Sequence, residues 1–388
     1  MEAYIIDGYR SAIGKANKGG FRFTRPDDIA THVIKHLMAQ NQLQPEQIDD
    51  LIVGNAVPEA EQGLQIGRMI ALQALGKDVP GMVVNRYCAS GLETVGLATS
   101  KIKTGMADII IAGGTESMSL VPTVGWKTVP NYKVAATNPD YYFSMGLTAE
   151  AVANDFNVSR EAQDEFSFHS HRKALNAIES GRFAKEIVPI EVEEVYVEND
   201  KKQSRKFTVG TDEGPRQGTS VEALAKLRPV FANKGTVTAG NSSQTSDGAA
   251  FLIIASEQAV KEHNLTPIAK LTSYVSAGVD PRIMGIGPVN AVPKALKRAN
   301  LSLNDIDLIE LNEAFASQSI AVINELGLNP EIVNVNGGAI ALGHPLGATG
   351  ARLSLTIIHE LKQRGKKRGL VTACVGGGQG IAGVIEIL

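Results

Sequence analysis

Two thiols and one histidine stand out by the company they keep. Cys88 lies in Val84-Asn85-Arg86-Tyr87-Cys88-Ala89-Ser90-Gly91. An apolar run, Met82-Val83-Val84, precedes it, and a helical pattern through Leu92, Val95, Ala98 and Ile102 follows. A thiol where a strand turns into a helix meets backbone N–H groups and the positive end of the helix dipole, which favour thiolate over thiol. Ser90 is a good N-cap type, and Ala89 and Gly91 keep bulk away from the sulfur. Cys374, in Thr372-Ala373-Cys374-Val375-Gly376-Gly377-Gly378-Gln379-Gly380, also follows a buried-strand pattern. Gly376 and the glycines after it leave backbone N–H groups unobstructed, as an oxyanion site needs. A lone cysteine is ordinarily a small buried hydrophobe. Beside a candidate thiol nucleophile, however, a fixed histidine is the expected activating base. His344, braced by Pro345 in the stretch Gly337–Gly350, fits that description. Asn312, in Leu311-Asn312-Glu313-Ala314-Phe315, adds an amide at the end of a buried strand, where a helix cap would be the ordinary reading.

The chemistry these groups suit is nucleophilic: a thiol activated by a fixed histidine base, with backbone N–H groups as an oxyanion site. The five glycines of 337–350 lack the Gly-Lys-Ser/Thr of a phosphate-gripping loop, so nucleotide hydrolysis is not expected. The Cys and His residues have no compact zinc spacing, and no metal is expected.

Elements able to position such groups follow from composition and pattern. A chain of 388 residues is long enough for two or three domains with sizeable cores. A net charge of −3 offers no general field for nucleic acid or anionic membrane, so an anionic ligand must be met by local groups. With two cysteines there is no disulfide framework, which fits a reducing cytosol. The N-terminal stretch carries Glu2, Asp7 and Arg10 and reads as a strand, not a secretory signal. No apolar run reaches transmembrane length, and a cytoplasmic protein is expected.

Short buried strands at 3–7, 51–53, 82–84 and 109–112 alternate with helices near Pro26–Asn41 and after Cys88, an α/β pattern. From 117 to about 245 the alternation stops. That stretch holds a helix at Arg160–Ser180 and a charged run whose Glu198–Lys202 reads as a hairpin tip. Alternation resumes after Thr245 and repeats the beginning. Leu43…Ile48-Asp49-Asp50-Leu51-Ile52 matches Leu301…Ile306-Asp307-Leu308-Ile309-Glu310 at an offset of 258. Val84-Asn85 recurs as Val335-Asn336, and Ile110-Ile111-Ala112-Gly113-Gly114 is echoed by Val371-Thr372-Ala373 and Gly376-Gly377. Three matches in one order predict two copies of one α/β half. A strand at Ile332–Val335 and a helix from about Ala351 to Arg364 complete the second copy.

Asn-Arg-Tyr-Cys-Ala-Ser-Gly, Asn-Glu-Ala-Phe, Gly-His-Pro-Leu-Gly and Cys-Val-Gly-Gly-Gly-Gln-Gly, in this order, resemble the thiolase family, as does Thr238-Ala239-Gly240-Asn241-Ser242-Ser243. The likeness runs from residue 1 to 388. It implies an α/β thiolase fold: two duplicated halves forming a five-layered αβαβα core with an inserted loop domain. The expected bounds are 1–116 plus 246–268 for the first half, 117–245 for the CoA-binding loop domain and 269–388 for the second half. The resemblance further implies that Cys88 carries the acyl group, His344 takes its proton and Cys374 exchanges a proton with the acetyl-CoA methyl carbon. Asn312 would hold a water that, with His344, polarises the thioester oxygen. The N–H groups of Cys88 and Gly376 would form a second oxyanion site. For coenzyme A, Ser243 matches a pantetheine contact, Arg216 a residue near the adenine, and Met145 the acyl pocket.

The implied activity is thiolytic cleavage of 3-ketoacyl-CoA to acetyl-CoA and a shortened acyl-CoA, in fatty-acid β-oxidation. Coenzyme A is then a co-substrate and no cofactor is permanently bound. The runner-up is an acetyl-CoA acetyltransferase working toward acetoacetyl-CoA. Biosynthetic members typically carry His-Met-Gly where this chain has Ser144-Met145-Gly146. A reading of another class is a non-catalytic acyl or sterol carrier on the same fold. A homodimer or dimer of dimers is the family expectation, with association with other β-oxidation enzymes and no nucleic-acid or membrane partner.

Overall fold

Strands buried along their whole length, such as Ile109–Ser117 and Ser246–Ser256, need cover on both faces, and the chain supplies helices for each. The computed structural model describes all 388 residues. Its main sheet reads as two halves in mirror order. In the first half the strands run Gly81–Val84, Asp50–Gly54, Ile109–Ser117, Ser246–Ser256, Ala3–Ser11. The second half continues with Ala269–Gly278, Gln379–Ile387, Arg368–Val375, Leu308–Leu311. The strands that carry the internal repeat pair in parallel in both halves, and the later strands return antiparallel. A single antiparallel register pair, Ile5 with Ala269, joins the halves.

Alternating side chains divide the core into layers. Ile109 and Ile111 point outward, where Ile29, Val33, Ile34 and Leu37 of the helix Pro26–Gln40 cover them together with Ile66 and Ile70. Ile110 and Ala112 point inward to Leu92, Val95 and Ala98 of the first central helix, Ser90–Lys103. The second central helix, Leu346–Arg364, brings Leu353, Ile357 and Ile358 into the same cluster, against Val371, Ile381 and Ile385 of the second half. Beyond that sheet, the helices Gly287–Ala299 and Ala316–Leu326 bury Ala291, Val292, Ala295 and Val322 on Ile309, Leu311 and Leu370. The order is αβαβα. The central helices meet backbone to backbone at their N-terminal ends. A Cβ on Gly91 would sit 2.7 Å from Ala351 N, and one on Gly350 2.2 Å from Leu92 N. Glycine is required there for approach.

Between Ser117 and Ser246 the chain forms the helices Met145–Asp155 and Arg160–Glu179 and a separate hairpin, Ile190–Glu198 with Lys201–Val209. The hairpin closes at Asn199-Asp200, both with positive φ, as a two-residue turn of this kind demands. Ile187-Val188 pairs with Arg10-Ser11. The buried Arg10 guanidinium then bonds Glu186 at 2.7 Å and both oxygens of Asp212 at 2.7 and 2.8 Å. Leaving any one of those charges unpaired would cost several kcal/mol.

Two elements differ from the sequence reading. Ile332–Val335 is no ladder strand: it makes one bridge, Ile309 to Val333, and Asn334 turns to φ 46°. The Asn334 side chain replaces the missing strand, accepting from Leu311 N at 2.9 Å and donating to Leu311 O at 2.8 Å. The second central helix starts at Leu346 and not near Ala351. Gly347 and Gly350 suggest a loop by propensity, but inside the helix they serve close contact with the first half. No helix is long and apolar enough to cross a membrane.

Candidate active site

Cys88 sits on a one-turn element, Tyr87–Ala89, at the head of the first central helix. Tyr87 holds φ at 45°, a strained value for a bulky residue. Three side chains secure the turn. Asn85 accepts from Tyr87 N at 2.9 Å and donates to Ala56 O at 3.0 Å. Ser90 accepts from Arg86 N at 2.9 Å and donates to Tyr87 O at 2.7 Å. Arg86 itself reaches Glu93 at 2.8 Å and Gln379, in the second half, at 2.9 Å. Ser90 is therefore the first helical residue and a brace for the turn, not a cap outside the helix.

The sulfur of Cys88 packs with Ala56 and Leu346, beside Val57 and Met118. Leu346 lies two residues after His344, and both the second central helix and the Cys374 strand pack on the Tyr87–Ala89 turn. Burial pushes the Cys88 thiol up to about 11, although the backbone N–H groups of Gly376 and of Cys88 itself oppose this. The helix-terminus argument thus gives way to desolvation: the resting group is a thiol and needs a base. Cys374, fully buried, is raised well above the ordinary thiol range by burial and by the neighbouring Cys88 sulfur. The two sulfurs share one site.

His344 is equally buried. Burial, then the nearby Arg352 guanidinium, pulls it down to about 3, so at neutral pH it is a free imidazole able to accept a proton. Arg352 is enclosed, with its closest ion-pair oxygen, from Glu310, at 3.6 Å. The imidazole is held at both nitrogens: Nδ1 lies 2.7 Å from Thr349 Oγ1, and Nε2 lies 3.3 Å from Asn312 Nδ2. Its backbone N–H points at Gln244 O and Ser246 Oγ. Asn312 does not cap a helix; the next one starts at Ala316 with Phe315 before it. Its Oδ1 is buried without a partner, an acceptor in position for a water or a substrate donor.

One wall of the site is apolar. Cys374 clusters with Ala149, Val237, Met284, Ala314 and Phe315, with Met145 packed against them. Met145 Sδ and the Tyr87 ring each lie 3.6 Å from the point where a Gly376 Cβ would stand. Ser243 is half-buried, and its N–H donates to Ala314 O at 2.9 Å, which places Thr238–Ser243 alongside Asn312–Phe315. Arg216 stands apart, exposed, with its backbone N–H 3.3 Å from His171 Nδ1. Cys88, His344, Cys374, Asn312, Gly376 and Met145 converge; Arg216 does not join them.

Glu116 and Thr349 are structural partners of this site that the motifs do not reveal. The buried Glu116 carboxylate accepts from Ala56 N, Gly347 N and Gln62 Nε2, each at 2.8 Å, and from Asn55 Nδ2 at 3.3 Å. Burial raises its pKa to about 7, and those donors oppose the rise. It ties the wall beside Cys88 to the helix that follows His344. A charged residue inside a strand buried at all nine positions was the available signal.

Comparison with known proteins places these motifs in a family. The pattern described as thiolase, N-terminal domain, matches residues 3–258, and thiolase, C-terminal domain, matches 265–387. The chain is 51% identical over 388 residues to a 3-ketoacyl-CoA thiolase of Bacillus subtilis (strain 168), covering 100% of this chain and 99% of that protein. It is 44% identical over 398 residues to an acetyl-CoA acetyltransferase of Escherichia coli (strain K12), covering 99% and 98%. The crystal structure of the Bacillus anthracis acetyl-CoA acetyltransferase superposes with a TM-score of 0.89 at 39% identity, over 100% of this chain and 99% of that one.

Proposed function

The chain belongs to the thiolase family and is an acyltransferase; from that premise we propose that it cleaves 3-ketoacyl-CoA with coenzyme A, using Cys88 as acyl carrier. The observation that carries this reading is the meeting of two thiols and a neutral imidazole in one buried site. Cys88 Sγ attacks the C3 ketone while its proton passes to His344 Nε2. The C2–C3 bond then breaks, leaving the acyl group on Cys88 as a thioester and the electron pair on the acetyl-CoA enolate. Cys374 protonates C2, which releases acetyl-CoA and leaves Cys374 as thiolate. The thiol of coenzyme A gives that thiolate its proton and attacks the Cys88 thioester. Shortened acyl-CoA departs, and His344 returns its proton to Cys88.

Charge on oxygen is the main barrier in both halves of the reaction. Gly376 N–H and Cys88 N–H, aimed at the Cys88 sulfur, are the donors for the thioester oxygen that forms there. Asn312 Oδ1 is the acceptor for a water that, with His344, serves the enolate oxygen. Met145 lines the acyl pocket, and Ser243 and Arg216 meet the pantetheine arm and the adenine end of coenzyme A. Coenzyme A is a co-substrate, and no resident cofactor is invoked.

Ser144, exposed ahead of Met145, offers a small side chain at the pocket mouth and supports longer acyl groups. We therefore assign the degradative substrate range of β-oxidation, in the cytoplasm. A homodimer belongs to the same reading, and the margin of the sheet supports it. The outer strand Gly81–Val84 pairs with Asp50–Gly54 on one side only, and Leu64, 93% exposed, stands beside it with Met69, Leu72 and Tyr87. Association with other β-oxidation enzymes is part of the same reading.

The test is thiolysis across chain lengths, followed through loss of the Mg²⁺–enolate absorbance. Medium-chain 3-ketoacyl-CoA should be cleaved with kcat/KM at least equal to that for acetoacetyl-CoA, since each extra buried methylene contributes up to about 0.8 kcal/mol. Activity confined to acetoacetyl-CoA, falling steeply at six carbons, would return the biosynthetic reading. No thiolysis at any length would favour a carrier.

A further inference from the structure

We infer that Thr349 is a positioning residue that fixes the tautomer of His344 and so makes Nε2 the base. This rests on the assignment of His344 as acceptor of the Cys88 proton. The geometry runs outward from the backbone. Thr349 Oγ1 lies 2.9 Å from Pro345 O, one turn back, where its single proton is directed. With that proton committed, the hydroxyl faces His344 Nδ1, 2.7 Å away, as an acceptor, and Nδ1 must carry the hydrogen. Nε2 is then the bare nitrogen. Asn312 agrees from the opposite side, because it turns its Nδ2 donor toward Nε2 at 3.3 Å.

The alternative is the other neutral tautomer, with Nε2 protonated and Nδ1 accepting from the Thr349 hydroxyl. Pro345 O would survive that change, because Ala348 N and Thr349 N also donate to it, at 2.9 and 3.0 Å. The Asn312 amide would have to turn over, presenting to Nε2–H the Oδ1 that otherwise faces the site without a partner. A ring of that tautomer has no lone pair toward the reaction. The Thr349 arrangement therefore acts on a proton it never touches. As Cys88 Sγ bonds to carbon, its proton goes to Nε2, and the imidazolium keeps Nδ1–H on Thr349 Oγ1. When Nε2 gives the proton back, the same hydrogen bond restores the starting tautomer.

Neither the histidine motif nor the fold requires this. Thr349 is fully buried in the first turn of the second central helix, so valine can replace it with similar volume and no hydroxyl. Because Pro345 O keeps its two backbone donors, Thr349→Val removes one partner only, that of Nδ1.

The experiment compares wild type, Thr349→Val and Thr349→Ser, with ¹⁵N-labelled histidine and steady-state thiolysis in parallel. In wild type at neutral pH, the His344 ring should show a protonated Nδ1 and an unprotonated Nε2, read without any substrate. Thr349→Val should populate the Nε2–H tautomer and lower kcat roughly 10- to 100-fold with KM within about twofold. Thr349→Ser should recover most of kcat and the wild-type ring signals. An Nε2–H tautomer in wild type overturns the inference. So does Thr349→Val with unchanged ring signals and kcat within about twofold. Should the valine variant not fold, the wild-type spectrum and the serine variant still decide. Full activity in His344→Ala would instead remove the function assigned to His344 and is read independently of the spectra.

Discussion

From Val84 to the first central helix there are five residues, 85–89, and they carry Cys88; from Val335 to the second there are ten, 336–345, and they carry His344. The same turn of the same repeated half has been used twice, once compactly and once with an added short helix, Ala339–Leu342. A second contrast lies on the neighbouring strands. Aligned on Ala112 and Ala373, the first half places Gly113-Gly114 where the second places Cys374-Val375. A Cβ on Gly114 would stand 2.0 Å from Gly347 O, so the second helix can approach only because the first strand has no side chain there. In the same alignment Cys374 stands opposite Gly113, where a Cβ would lie 2.0 Å from Ala250 O, so the first strand has no room for a side chain where the second carries its thiol. Duplication brings two helix N-termini to one point; the asymmetry of their contact decides which half contributes which group.

The division can be broken most severely at its chemical ends. Cys88→Ala should lower kcat/KM roughly 10⁴-fold or more, since no other thiol is placed to hold the acyl group. Mass spectrometry of rapidly quenched wild type should find the acyl label on Cys88. His344→Ala should cost roughly 3 kcal/mol or more of transition-state stabilisation while the protein stays folded. A label on Cys374 alone would reverse the assigned roles of the halves.

A smaller effect sharpens the packing side of the contrast. Gly350→Ala should destabilise by about 3 kcal/mol in urea titration, because the new methyl meets the backbone at Leu92 N. Gly278→Ala, with nothing within 4 Å, should change stability by no more than about 0.5 kcal/mol. Equal effects would mean that helix contact does not govern the asymmetry.

The least effect, per unit of pH, separates the buried bases. Burial lowers His171 to about 4, with Arg216 and Lys15 adding to it, and lowers His344 to about 3. The unfolded chain protonates both near 6.5, so the folded state binds fewer protons below that value. Stability should be fully present above about pH 6.5 and fall as pH drops toward the folded values, by up to about 1.4 kcal/mol per pH unit for each histidine. His171→Gln should remove its own share of the slope in denaturation measured from pH 7 to 4. An unchanged slope would mean that His171 is solvated.

Much of this was legible in the residues. The offset of 258 between Leu43 and Leu301 announced the duplication, and the motif positions 88, 312, 344 and 374 meet in one site. What stayed hidden was set by tertiary contact. Gly347 and Gly350 look like loop residues until the opposing Gly91 and Leu92 are seen. Helix-terminus logic favoured a thiolate at Cys88, yet how deeply Leu346 and Ala56 would enclose the sulfur depends on residues from the other half and from a distant loop. Glu116 and Thr349 carry no motif of their own because their partners are backbone groups, two side-chain amides and a ring nitrogen contributed from elsewhere in the chain.

The insertion between residues 117 and 246 bears on the order in which the molecule assembles. In the second half, Arg368–Val375 and Gln379–Ile387 are joined by three residues, 376–378. Their counterparts, Ile109–Ser117 and Ser246–Ser256, pair across 128 intervening residues, 118–245. Closing the longer loop costs about 3 kcal/mol more chain entropy, taken from the logarithmic length law. Local contacts form sooner than distant ones, so the second half is the natural nucleus and the first half its latecomer. Pulsed hydrogen exchange during refolding would record this as protection of 369–387 ahead of 109–117. The half that carries Cys88 would then complete its sheet against a template already built.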